Sequence, residues 1–216
     1  MFADYISQIE IDALWGKRKH ILWQLDRHVN ILSGINGIGK STILRKTLDN
    51  GDGVTLTLMP EEATELRYDV IEKYTLDPDT KLEELEQRFM EYPAESKAKV
   101  FDIIDNLYGT TGKKVLRDKE GIRLEQEGDV LTFRELSSGE KQMMLILLTV
   151  FMEEGKPYTL FMDEPEVSLH VDWQQHLIET ILLLNPNIQI ILTTHSPAVI
   201  MDGWLDKVTE VSEITV

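Results

Sequence analysis

Cysteine is absent from all 216 residues, which excludes disulfides, thiolate metal sites and cysteine nucleophiles. Long apolar runs are missing as well. The longest, Met143 to Met152, is too short to cross a bilayer, and Met1 to Gly16 has no basic start followed by a smooth apolar run. A cytoplasmic chain without membrane insertion is therefore expected. Positive charge is scarce: 22 Lys and Arg stand against 38 Asp and Glu, a formal net charge of −16. A field of that sign repels phosphate backbones and anionic lipid, so direct DNA binding by this chain is not expected. The largest basic cluster, at residues 16–20, reads as a solvated hairpin tip.

The composition that remains, 42% hydrophobic and 28% charged, is that of an ordinary folded protein. The length suits one α/β domain over residues 1–216, with room for an insertion. Residues 61–110 hold 14 acidic and 6 basic side chains, so a net −8 sits in under a quarter of the chain. The same segment reads as helical from Glu61 to Tyr108. Leu82, Leu85, Phe89 and Tyr92 form one apolar stripe, and Val100, Ile103, Ile104 and Leu107 another. An acidic helical insert, an arm or a lid, is the expectation for 61–110.

Elsewhere, β-branched and apolar runs predict strands over Ile6–Ile11, Ile21–Leu25, Val29–Ser33 and Val54–Met59. Residues 121–133 read as a β-hairpin turning at Glu127-Gly128-Asp129. The segment from Gly139 to Gly155 is apolar around its whole circumference and is expected to be a central helix. Two buried strands end in Asp163-Glu164-Pro165 and Thr194-His195-Ser196. Trp173, Leu177, Ile181 and Leu184 align on a helix between them, and Lys207–Val211 is a candidate last strand. Strands alternating with helices imply a mainly parallel sheet, preceded by an antiparallel N-terminal portion.

Gly34 to Ser41 reads G-x-x-x-x-G-K-S after a buried strand and before a helix, the pattern and context of a phosphate loop. Backbone N–H groups of Asn36, Gly37, Ile38, Gly39, Lys40, Ser41 and Thr42 are the candidates to cradle a nucleotide's phosphates at a helix N-terminus. Lys40 would neutralise phosphate oxygens, and the Ser41 hydroxyl would ligate Mg²⁺. Asp163, at a strand's C-terminal edge, is placed for the same metal's hydration shell. Glu164 is a candidate to orient or deprotonate attacking water. His195 could report the terminal phosphate; a satisfied strand-end histidine is the other reading. Ser137 or Ser138 would also cap the helix that follows them.

Taken in order, the phosphate loop, helical insert, Leu136-Ser137-Ser138-Gly139-Glu140 turn, Asp163-Glu164 strand and His195 resemble the ATP-binding cassette (ABC) ATPases. The resemblance runs from Ile6 to about Val211. It implies a P-loop NTPase with an ABC-type head, binding ATP and Mg²⁺, that forms a homodimer with two ATP molecules sandwiched between heads. Ser137 and Gly139 would then face the partner's nucleotide. Glu166-Val167-Ser168-Leu169-His170 is more similar to the non-transporter branch, the RecF-like and SMC-like heads and the ATPases of overcoming-lysogenization-defect systems. That points to DNA repair or antiphage defence with a separate effector protein. The glutamine that the family carries after the strand at 54–59 has no counterpart in Met59 to Tyr68. Trp15 is a candidate to stack on adenine or to anchor a hairpin. The alternatives are the nucleotide-binding subunit of a membrane transporter and a non-hydrolysing scaffold.

Overall fold

The computed structural model describes residues 1–16, 19–118, 120–201 and 203–216. Lys17 and Arg18 of the basic cluster expected at 16–20 lie outside the described residues. The chain opens with β1 (Tyr5–Leu14), β2 (Lys19–Gln24), β3 (Val29–Ser33), α1 (Lys40–Asp49), β4 (Val54–Met59) and β5 (Tyr68–Ile71). Next come α2 (Pro78–Met90), α3 (Ala94–Gly109), β6 (Lys114–Leu116), β7 (Arg123–Gln126), β8 (Asp129–Leu131) and α4 (Ser138–Met152). The last elements are β9 (Tyr158–Asp163), α5 (Val171–Leu184), β10 (Ile188–Thr193), α6 (Pro197–Met201) and β11 (Val208–Glu210). These elements fall into two compact units.

The first unit comprises Met1–Lys73, Lys156–Glu166 and Asn187–Val216. Its five-stranded sheet has the order β11-β3-β10-β9-β5, with every pairing parallel. The central strands β3, β9 and β10 are buried along nearly their whole length, which is why they read as continuous apolar runs rather than alternating ones. An antiparallel sheet, β2-β1-β4, is interleaved with it in the chain, since β4 follows β3 and α1. Ile6, Ile9, Ile11, Leu14, Ile21, Trp23, Leu32, Ile43 and Phe161 share one core. Fully buried Gln189 ties the two sheets together. Its Oε1 accepts from Ile6 N (2.9 Å) and its Nε2 donates to the carbonyls of Ile6 (2.7 Å) and Asp26 (2.9 Å). An amide is tolerated in that core because each of its polar atoms is paired.

The second unit, Tyr74–Gly155 with Val167–Pro186, holds α2, α3, α4 and α5 and the antiparallel sheet β6-β7-β8. Asp77 caps α2 by accepting from Thr80 N at 3.2 Å, and Pro78 opens the helix where its missing N–H costs nothing. Leu82, Leu85 and Phe89 are buried, as are Val100, Ile103 and Ile104. Phe89 meets Phe101 and Phe151 edge-on, with ring centroids 5.5 and 5.0 Å apart. α4 is buried on all sides, including Met143 through Val150, as its unbroken apolar circumference predicts. The β7–β8 hairpin turns through Glu127 and Gly128.

Two strands depart from the expected pattern. The stretch read as helical from Glu61 contains β5, and helix begins only at Pro78. β5 is a four-residue edge strand whose single neighbour is β9. So short a strand, half-exposed and flanked by Arg67 and Glu72, leaves little alternating signal. β6, three residues long and also at an edge, is legible only through its pairing with β7.

Candidate nucleotide site

The loop from Gly34 to Gly39 leaves the C-terminal end of β3 and enters α1 at Lys40. Gly39 has φ +110°, and a Cβ there would lie 2.6 Å from two ring carbons of Trp15; only glycine satisfies both constraints. Trp15 itself stands at the β1–β2 turn, 44% exposed, with Lys19 Nζ 5.3 Å from its ring centroid. Ile35, Asn36 and Gly37 are exposed at the crest of the loop. Ile38 turns its side chain into the apolar core, so only its backbone remains for a ligand. Ser41 and Thr42 sit half-buried in the first turn of α1.

The parallel order β3-β10-β9 brings the ends of three strands to this loop. Ser41 Oγ donates to Asp163 Oδ1 at 2.8 Å, and Thr193 Oγ1 donates to the same oxygen at 2.6 Å. Glu164 adopts the left-handed φ of +46°, uncommon for a residue with a side chain. Its N–H is held by both the carbonyl and the hydroxyl of Thr193 at 3.1 Å, which offsets the strain. The Glu164 carboxylate meets His195 Nε2 at 3.0 Å through one oxygen and forms an ion pair with Lys73 Nζ through the other.

Lys40 is 4% exposed, and its Nζ donates to the Gly34 carbonyl at 2.9 Å and lies 2.6 Å from His195 Nε2. Burial pulls the Lys40 pKa below its ordinary value, against the pull of Glu164, Asp163 and Glu166. One ring nitrogen of His195 therefore faces both a donor, Lys40, and an acceptor, Glu164. It can accept from the first or donate to the second, but not both at once. The His195 backbone is pinned by buried Glu166, whose Oε1 accepts from Thr194 Oγ1 (2.5 Å) and His195 N (3.2 Å).

Lys40, Ser41, Asp163, Glu164 and His195, separate motifs along the chain, thus form one connected network. Lys73 and Thr193 join it without having been singled out by motif, and Glu166, named only as part of the 166–170 stretch, joins it as well. Lys73 was hidden because β5, which delivers it, was hidden. The donor set beside the loop consists of hydroxyl and carboxylate oxygens from Ser41, Asp163 and Thr193. That hard-oxygen chemistry fits magnesium, and the loop's turn into a helix N-terminus fits phosphate.

In the second unit, Ser137 is the N-cap of α4. Its Oγ accepts from Glu140 N at 3.3 Å, while Glu140 Oε2 accepts from Ser137 N at 2.9 Å, a reciprocal capping box. Glu140 also pairs with Lys113 Nζ at 2.8 Å. Burial raises the Glu140 pKa, but Lys113 and Ser137 outweigh it, and the carboxyl ends below its ordinary range. Gly139 lies against a backbone: a Cβ there would be 2.2 Å from the Ser168 carbonyl oxygen. Of the remaining histidines, His20 pairs with Glu10 at 3.3 Å, His170 caps α5, and His176 stands 3.6 Å from Glu179.

The chain has the character of an ATP-binding P-loop ATPase of the AAA type, on a fold similar to that of ABC-type and SMC-head domains. Residues 74–202 match the family AAA_21, described as "AAA domain, putative AbiEii toxin, Type IV TA system", and the chain belongs to that family. A curated relative, the "Retron Vc95 probable ATPase" of Vibrio cholerae serotype O1 biovar El Tor, is 30% identical over 101 residues. The match covers 41% of this chain and 20% of that relative, so this chain aligns with about a fifth of its length. Among solved structures, an SMC head bound to the C-terminal winged-helix domain of ScpA is similar at TM-score 0.65 and 13% identity, covering 92% of each chain. The SMC head of Thermotoga maritima is similar at TM-score 0.59 and 14% identity, covering 95% of this chain and 94% of that one. No helix among the described residues is long and apolar enough to cross a membrane.

Proposed function

We propose that the protein hydrolyses ATP with Mg²⁺ between two copies of its head and uses the nucleotide state to control a separate effector. The observation that carries this reading is the single network joining Lys40, Ser41, Asp163, Glu164 and His195. Its domain organisation is one ATPase head over 1–216, with α2 and α3 as arm or lid. Similarity to a retron ATPase favours antiphage defence over DNA repair as the setting.

In this mechanism the 36–42 backbone holds the triphosphate, and Lys40 turns its ammonium from the Gly34 carbonyl to phosphate oxygen. Ser41 and Asp163 are the residues to hold magnesium, which when bound neutralises charge on the phosphate oxygens. Glu164, kept in position by its strained backbone and Thr193, accepts a proton from water. His195 exchanges Lys40 for Glu164 as its partner and so reads whether the terminal phosphate is present. Ser137 and Gly139 complete the site of the other chain.

The test is Glu164→Gln. It should retain ATP binding, lose roughly 10²–10⁴ in turnover as expected for removal of a general base, and accumulate a dimer with ATP on size exclusion. Unchanged turnover would remove Glu164 from that role. A Ser137 variant mixed with a Lys40 variant should regain activity through one intact composite site. Mixtures that never recover would remove the shared-site reading.

A further inference from the structure

We propose that Lys73 is a second phosphate-directed cation of this site, which restrains Glu164 by an ion pair and surrenders it to the terminal phosphate of a nucleoside triphosphate. The proposal rests on the ATPase reading above and adds to it a residue outside every motif of the chain. Strand register supplies the first argument. β5 runs parallel to β9 with Ile71 opposite Met162, so two residues further on Lys73 stands level with Glu164. The contact is thereby built into the sheet: the edge strand delivers an ammonium to the residue that follows Asp163.

Charge supplies the second. Glu164, with its side chain 13% exposed, is held by Lys73 on one oxygen and approached by His195 on the other. While the ion pair is closed, Lys73 occupies the Glu164 oxygen that it faces, so water reaches that oxygen only when the pair opens. Lys73 is the more exposed partner, its side chain 35% exposed, and a lysine's flexible four-carbon stem can redirect its ammonium. It also lies near enough to Lys40 for the two charges to oppose each other. An anion set between them would relieve that repulsion. Only a triphosphate carries the terminal group, so the exchange couples release of Glu164 to ATP and not to ADP. It also gives the site a cation at the end of β5, beyond the segment that lacks the family's glutamine.

The experiment measures direct binding, by titration calorimetry, of ADP and of the non-hydrolysed β,γ-imido analogue of ATP, both with Mg²⁺. Wild type, Lys73→Met and Lys73→Arg are compared. Lys73→Met should weaken the analogue roughly tenfold or more, the weight of one charge-assisted contact, and leave ADP within about twofold. Lys73→Arg should restore most of the difference. Equal loss for both nucleotides, or no loss for either, would overturn the proposal and leave Lys73 as a structural partner of Glu164, with the ATPase reading intact. Wild type that binds neither nucleotide would instead remove that reading and the proposal with it. Should Lys73→Met fail to fold, Lys73→Gln keeps the polar stem and is held to the same two affinities.

Discussion

Replacing Gly139 by alanine puts one methyl group where the second unit has no room for it. The new Cβ would sit 2.2 Å from the Ser168 carbonyl oxygen and 3.1 Å from its carbon, roughly 1 Å short of the separation at which carbon and carbonyl oxygen normally meet. Both sides of the contact are backbone, so no rotamer change relieves it; α4 or the Ser168 segment must shift. Overpacking of this kind costs about 1–3 kcal/mol. Gly139 is the second residue of α4, and alanine's better helix propensity returns part of that, about 0.5–1 kcal/mol. A net loss of about 1–2 kcal/mol lowers Tm by about 2–8 °C in a chain of this size. The assay is thermal unfolding of both proteins without nucleotide, so that a contact to a partner's ATP cannot contribute. Ser168→Gly keeps the carbonyl and should not rescue the variant. An unchanged or higher Tm for Gly139→Ala would refute the packing argument.

Ser137→Ala removes the α4 cap and should cost about 1 kcal/mol in denaturant unfolding; no measurable change would mean that the capping box contributes nothing. Gln189→Leu strips buried Ile6 N–H and C=O of their partners and should cost about 1–3 kcal/mol for each group left unsatisfied, read by the same unfolding. Glu140, whose folded pKa is depressed, contributes stability that is fully present at neutral pH and is lost as pH falls below the ordinary glutamate range. Glu140→Gln should flatten that acid limb of a Tm-against-pH curve, and an unaltered limb would count against the Lys113 pairing. Glu166→Ala should loosen the Thr194–His195 turn, seen as faster amide exchange of His195; unaltered protection there would remove its positioning role.

Much of this molecule is legible residue by residue. The phosphate loop is visible because a strand, a glycine turn and a lysine-serine pair are contiguous. The cap of α4 is visible as one of two adjacent serines, and the structure selects Ser137 and adds Glu140 as its reciprocal partner. Most of the apolar stripes of α2 and α3 reappears as buried faces, while Tyr92, past the end of α2, and Leu107 are half-buried. β5 fails that reading: four residues paired on one edge draw their stability from β9, and nothing local marks them. With β5 goes Lys73, which in the linear chain is one more lysine in an acidic stretch. Trp15 divides the same way. Its place at a hairpin tip follows from the strands around it, but its ring lies over Gly39 because the hairpin meets the phosphate loop.

The amino-acid sequence alone determined the elements whose bonds close within a few residues: the loop, the caps and the amphipathic faces. Backbone geometry and neighbouring side chains suffice for those. Only the tertiary structure decided which distant groups share a charge environment. Ser41 and Asp163 lie 122 positions apart and Lys73 and Glu164 lie 91 apart. Their meeting depends on strand order and register in the parallel sheet, and hence on which apolar strand each other strand buries against.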